Sequence, residues 1–150
     1  MRSPIILFSL FVAILVSGTA GNAQDAIDKE RAKLVGTWAG YAVKGKGENP
    51  ERMGVKIELI ITKDTIKGIG FKGNERVDLG IGTYQLKLDK TPFQMDGDKK
   101  LDNPNRKEIH LGIYELDGDT LRWCVGRKKR PAEFDGKDDA YLLILKRQKP

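Results

Sequence analysis

From residue 38 onward the apolar residues come in short runs or strict alternation, not at the spacing of three and four that marks a helix. Met53, Val55, Ile57, Leu59 and Ile61 alternate with Gly54, Lys56 and Glu58, the pattern of a strand with one dry and one wet face. Gly, Asp, Asn and Pro separate one run from the next. The pattern predicts strands at Trp38–Val43, Gly54–Thr62, Ile66–Lys72, Val77–Leu88, Phe93–Asp96, Lys107–Glu115, Thr120–Val125 and Ala140–Arg147, the fourth interrupted near Gly82. Asp98–Lys107 is polar, holds a proline and is expected to be a surface loop. Before the strands, Gln24–Leu34 is rich in helix formers, with Ala23, Ile27 and Leu34 to one side, which predicts a short amphipathic helix. Glycines inside strands (Gly68, Gly70, Gly80, Gly82 and Gly112) suit the bends of a small closed barrel. The expected fold class is therefore all-β: an antiparallel up-and-down barrel of about eight strands behind a short N-terminal helix.

The hairpin around Gly118 permits a register argument. A two-residue turn at Asp117-Gly118 sets Ile113 opposite Arg122 and mixes the faces. A three-residue loop, Leu116-Asp117-Gly118, sets Ile113 against Leu121, Leu111 against Trp123 and Ile109 against Val125. The second register is the expected one, and it places His110 across from Cys124.

The first residues differ from the rest. Met1 and Arg2 precede an apolar stretch from Ile5 to Val16, and the small residues Ser17 to Ala23 follow it. Charge, short apolar core and small-residue exit are the parts of a secretory signal peptide, expected over residues 1–23 with cleavage after Ala20 or Ala23. The apolar stretch is short of the ~20 residues a membrane-spanning helix needs. Residues 24–150 are then one barrel domain, exported to the periplasm or the outside. No second stretch can span as a helix, and the charges on the alternating strands are wrong for a lipid-facing barrel.

Composition removes several chemistries. No serine follows Ser17, so the domain can build no Ser-His-Asp triad. One histidine and one cysteine make no tetrahedral zinc set. The acidic stretches at Asp96 and Asp135 lack the glycine that a calcium loop needs at its sixth position. No glycine loop is spaced to cradle phosphate, and no cofactor or metal is expected. A His110–Cys124 pair could in principle activate a thiolate, but no third group orients the histidine. An enzyme is not expected. The formal net charge is +6, with acids and bases interleaved. The one basic run, Arg127-Lys128-Lys129-Arg130, reads as a solvated loop, and without an exposed aromatic platform it indicates no nucleic-acid partner.

Val35-Gly36-Thr37-Trp38 opens the first strand with the Gly-x-Trp that lipocalins carry there, and Leu145-Lys146-Arg147 closes the last strand with an arginine. Gly112-Ile113-Tyr114-Glu115-Leu116-Asp117-Gly118-Asp119-Thr120-Leu121, then Cys124 and Arg130-Pro131-Ala132-Glu133-Phe134, resemble a more particular family. It is a lipocalin-like domain family without assigned activity, abundant in exported proteins of planctomycete bacteria. The resemblance covers nearly all of residues 24–150. It implies a barrel, export and an arginine lying over the tryptophan to seal one end, a contact worth ~1–2 kcal/mol when desolvated. It transfers no catalytic residue. Gly36, Trp38, Arg130, Pro131, Phe134 and Arg147 are expected to be structural.

The function expected on this footing is a binding module for a small apolar or amphipathic ligand, lined by Ile57, Leu59, Ile109, Leu111, Ile113, Leu121 and Trp123. The alternative is a structural or interaction protein whose barrel is packed solid by Trp123, Phe71 and Tyr141. A cavity of roughly 300 Å³ or more favours the first. The sequence identifies no protein partner.

Overall fold

The computed structural model describes residues 19–44 and 54–150. A helix, α1 (Thr19–Leu34), precedes eight strands: β1 (Gly36–Val43), β2 (Val55–Ile61), β3 (Thr65–Lys72), β4 (Glu75–Lys87), β5 (Phe93–Lys100), β6 (Lys107–Asp117), β7 (Thr120–Gly126) and β8 (Ala140–Arg147). Each strand pairs antiparallel with its neighbour in sequence, and β1 also pairs with β8, so the sheet closes in chain order. Closure removes the free edges that an open sheet would present. The helix starts earlier than expected and includes residues 19–23 of the expected signal segment; residues 1–18 lie outside the described residues.

Three expectations about local structure are corrected. First, β5 continues through Asp98 and Lys99 to Lys100, which pairs with Lys107, so only residues 101–106 form the loop. Second, β4 is not interrupted at Gly82. Its irregularity lies at Leu79, where Gly80 pairs with Gly68 but Asp78 already pairs with Ile69, leaving Leu79 as an extra residue. Third, the β6–β7 hairpin turns on Gly118 and Asp119, with Asp117 opposite Thr120. Gly118 has a φ of +56°, and a two-residue turn of type II′ reserves that first central position for glycine. Ile113 therefore faces Cys124, Tyr114 faces Trp123 and Leu111 faces Gly126.

That register decides which way β6 looks. Tyr114 and Trp123 belong to the main core, together with Trp38, Leu59, Ile61, Tyr84, Met95, Leu121 and Leu145. Alternation then turns Glu108, His110, Gly112 and Leu116 inward and Ile109, Leu111 and Ile113 outward. Ile113 is nonetheless buried, because a second apolar cluster forms outside the barrel. Val43, Ile113, Cys124, Ala140 and Leu142 pack there, with Phe134 against them. The 127–139 segment between β7 and β8 is pinned over this outer face. Arg130 Nη2 donates to Asp96 Oδ2 at 2.8 Å, and Arg130 Nη1 donates to the Gly112 carbonyl at 2.7 Å. The Phe134 ring lies under the Arg122 guanidinium, 4.8 Å from it. Pro131 and Phe134 are half-buried within this segment.

Candidate functional site

The two ends of the barrel are built differently. At one end, Trp38 is fully buried and donates from Nε1 to the Leu34 carbonyl at 2.8 Å. The Arg147 guanidinium lies 4.2 Å above the indole and donates to the Val35 and Lys33 carbonyls. Lys33 is in the last turn of α1, whose final carbonyls have no intrahelical donors, and Val35 directly follows it, so one arginine covers the tryptophan and caps the helix. Gly36 holds a φ of +144°, and a Cβ there would come 3.0 Å from Arg147 Nη1, which is the physical reason for glycine before this tryptophan. Leu34 and Ile27 of α1 pack on the core, and Glu30 accepts from the Tyr114 hydroxyl at 3.3 Å. Burial, then the adjacent Glu30 charge, push the Tyr114 phenol far above its ordinary range, so it remains a donor. Arg31 stacks 4.4 Å from the Tyr84 ring and donates to the Tyr84 and Lys63 carbonyls. Leu34, Trp38 and Tyr84 are all buried at this end.

The opposite end has a cleft of about 230 Å³. Its floor is Trp123, whose Nε1 donates to the Met95 carbonyl at 3.0 Å. The indole can lie there because the facing positions are Gly97 and Gly112; a Cβ on Gly112 would meet Nε1 at 2.2 Å. Ile57, Leu59, Ile66 and Leu143 form apolar walls, and Leu79, swung inward by its bulge, covers Gly68 and Gly70. Val55, Val77, Leu79 and Ile81 remain substantially exposed around the mouth.

The polar side of the mouth is a chain of contacts. Arg127 Nε and His110 Nε2 each lie 3.3 Å from Glu108 Oε1, and His110 Nδ1 is 3.2 Å from the Tyr141 hydroxyl. Burial lowers the His110 pKa below its ordinary 6.5 despite the nearby Glu108, so the ring is neutral at pH 7. Lys99 and Asp98 complete this side of the lining.

Of the residues expected to line a ligand site, Ile57, Leu59 and Trp123 border the cleft. Leu121 is inside the barrel but completely buried toward the sealed end, and Ile109, Leu111 and Ile113 lie on the outer face, for the register reason given above. Phe71 is also outside, under Lys56 at 4.7 Å and Arg76 at 5.7 Å, and does not fill the barrel. Lys99, Glu108, His110, Arg127 and Tyr141 were missed as a group. In the β5–β6 ladder, which runs to Lys100–Lys107, Gly97, Lys99, His110 and Glu108 alternate inward; the expected loop at Asp98–Lys107 concealed that alternation.

The proposed His110–Cys124 pairing is corrected: His110 looks into the cleft, whereas Cys124 lies on the outer face with its Sγ 3.2 Å from the Asp135 carbonyl. Burial pushes the thiol up to about 11, the opposite of activation. The basic run is not simply solvated either. Arg127 meets Glu108, Lys129 meets Asp138 at 3.1 Å and Arg130 meets Asp96, while the Lys128 amide donates to Asp139 at 2.7 Å.

Among the described residues no group of three His, Cys, Asp or Glu side chains could hold a metal ion, and no helix is long and apolar enough to cross a membrane. No family model, curated protein or solved structure matches the chain.

Proposed function

We propose that the protein is an exported, lipocalin-like binding module that holds a small amphipathic molecule in its open end and catalyses no reaction. The observation that carries this reading is the asymmetry of the barrel. Trp38, Arg147 and α1 close one end, and a cleft with an apolar floor and a polar rim occupies the other. An apolar concavity with a few convergent polar groups is the usual form of a small-molecule site. At about 230 Å³ the cleft falls short of the ~300 Å³ that would by itself favour a ligand site, so the reading rests on the asymmetry of the two ends and not on volume, and the occupant is small: a short chain or a single ring. The exposed Val55, Val77, Leu79 and Ile81 give an apolar chain a surface to cross on entry. Export rests on the pattern of residues 1–23.

Native mass spectrometry of the protein purified from its own cells tests the reading. A bound small molecule, released on denaturation, is the expected result. An unliganded mass, together with no response to short-chain amphiphiles added at millimolar concentration, contradicts it.

A further inference from the structure

The charges around the cleft narrow the chemistry of its occupant, on the footing that the cleft is a ligand site at all. Four formally charged side chains line it: Asp98, Lys99, Glu108 and Arg127. Glu108 is already engaged, by Arg127 on one side and His110 on the other. Asp98 is engaged by Lys107 at 3.5 Å. Lys99 stands directly opposite Glu108 in the β5–β6 ladder, yet among the described residues it has no ion-pair partner. The residue is half-buried, and its stem lies across Gly80, where a Cβ would come within 2.9 Å of Cε. Tyr141 adds only a hydroxyl, already shared with His110. The lining therefore carries one positive charge without a counter-charge, beside an apolar floor.

We propose that the occupant is a small anionic amphiphile, its apolar part over Trp123 between Ile57, Leu59 and Leu143 and its negative group against the Lys99 ammonium. The Lys99 stem is partly buried over Gly80 while its ammonium has no ion-pair partner among the described residues, and a carboxylate or sulfonate supplies that partner. A cationic head would instead meet the unpaired Lys99, and a neutral one would leave Lys99 as it is.

Isothermal titration of the full protein with octanoate, octanol and octylammonium separates the possibilities. Octanoate is expected to bind most tightly. K99M should weaken octanoate roughly three- to tenfold, the size of one partly exposed charge pair, with octanol unchanged and K99R close to wild type. An unaltered melting curve for K99M shows that the fold is intact. If octanol binds and K99M leaves octanoate affinity unchanged, or octylammonium matches octanoate, the anionic assignment is overturned while the site stands. If octylammonium alone binds, the anionic assignment is overturned while the site stands; if none of the three binds, both are overturned.

Discussion

The sealed and open ends of this barrel use the same kinds of residue to opposite effect. Each has a buried tryptophan donating to a backbone carbonyl, Trp38 to Leu34 and Trp123 to Met95. At the sealed end a helix and an arginine lie over the indole, and Arg147 and the Tyr114 hydroxyl fasten α1 to the barrel. At the open end, glycines on the facing strands make room for the indole, which borders the cleft. A tryptophan at a barrel end is therefore not in itself a plug. What lies above it decides whether it closes the barrel or floors a site.

If this contrast is right, substitutions at the two ends should divide between stability and binding. Trp38→Ala should be the most damaging, lowering unfolding free energy by about 3–5 kcal/mol in urea titration, because it empties a fully enclosed position. Next comes the clamp that holds the 127–139 segment on the outer face. Asp96→Asn leaves Arg130 without its carboxylate and should cost about 2 kcal/mol, below the value for a deeply buried pair because both side chains keep some solvent contact.

A pH titration of stability sharpens the same division. The His110 ring in the cleft resists protonation, so below its ordinary pKa of 6.5 the unfolded chain binds the proton more readily than the native one. Stability should accordingly decline as pH falls through 6.5, and His110→Gln should remove that part of the decline. At the clamp, burial would raise the Asp96 carboxyl, but Arg130, the Gly112 amide and Lys87 together hold it below its ordinary 3.8. Its contribution is complete above 3.8 and is lost at lower pH, a second step that Asp96→Asn should abolish. The smallest change in stability is expected at the lip. Ile81→Ser, at a residue 43% exposed, should move the urea midpoint by the equivalent of under ~0.5 kcal/mol.

The strands were legible in the chain because alternation is a direct imprint of a sheet with one dry face, and the pairing of Trp38 with Arg147 follows from Gly-x-Trp and the closing arginine. Two things were not legible. Alternation reports burial, not direction. Ile113 is buried as thoroughly as an inward residue, but by Phe134 and the 127–139 segment on the outside, so its apolarity pointed the β6 register the wrong way. The polar stretch from Asp98 to Lys100 has the composition of a loop, yet it is strand, because its alternate residues line a cleft mouth where charge is tolerated. One error fell on β6 and the other on its neighbour β5, and together they hid Lys99, Glu108 and His110. Sites of this kind break the local pattern that identifies the fold around them.

The chain has two tryptophans, so 5-fluorotryptophan labelling gives one ¹⁹F resonance for each end of the barrel, assigned with Trp38→Phe. Titrating octanoate into the labelled wild-type protein tests the asymmetry most directly. The Trp123 resonance should shift and saturate while the Trp38 resonance stays fixed. A saturable shift at Trp38, or equal shifts at both, would contradict a barrel that is closed at one end and open to ligand at the other.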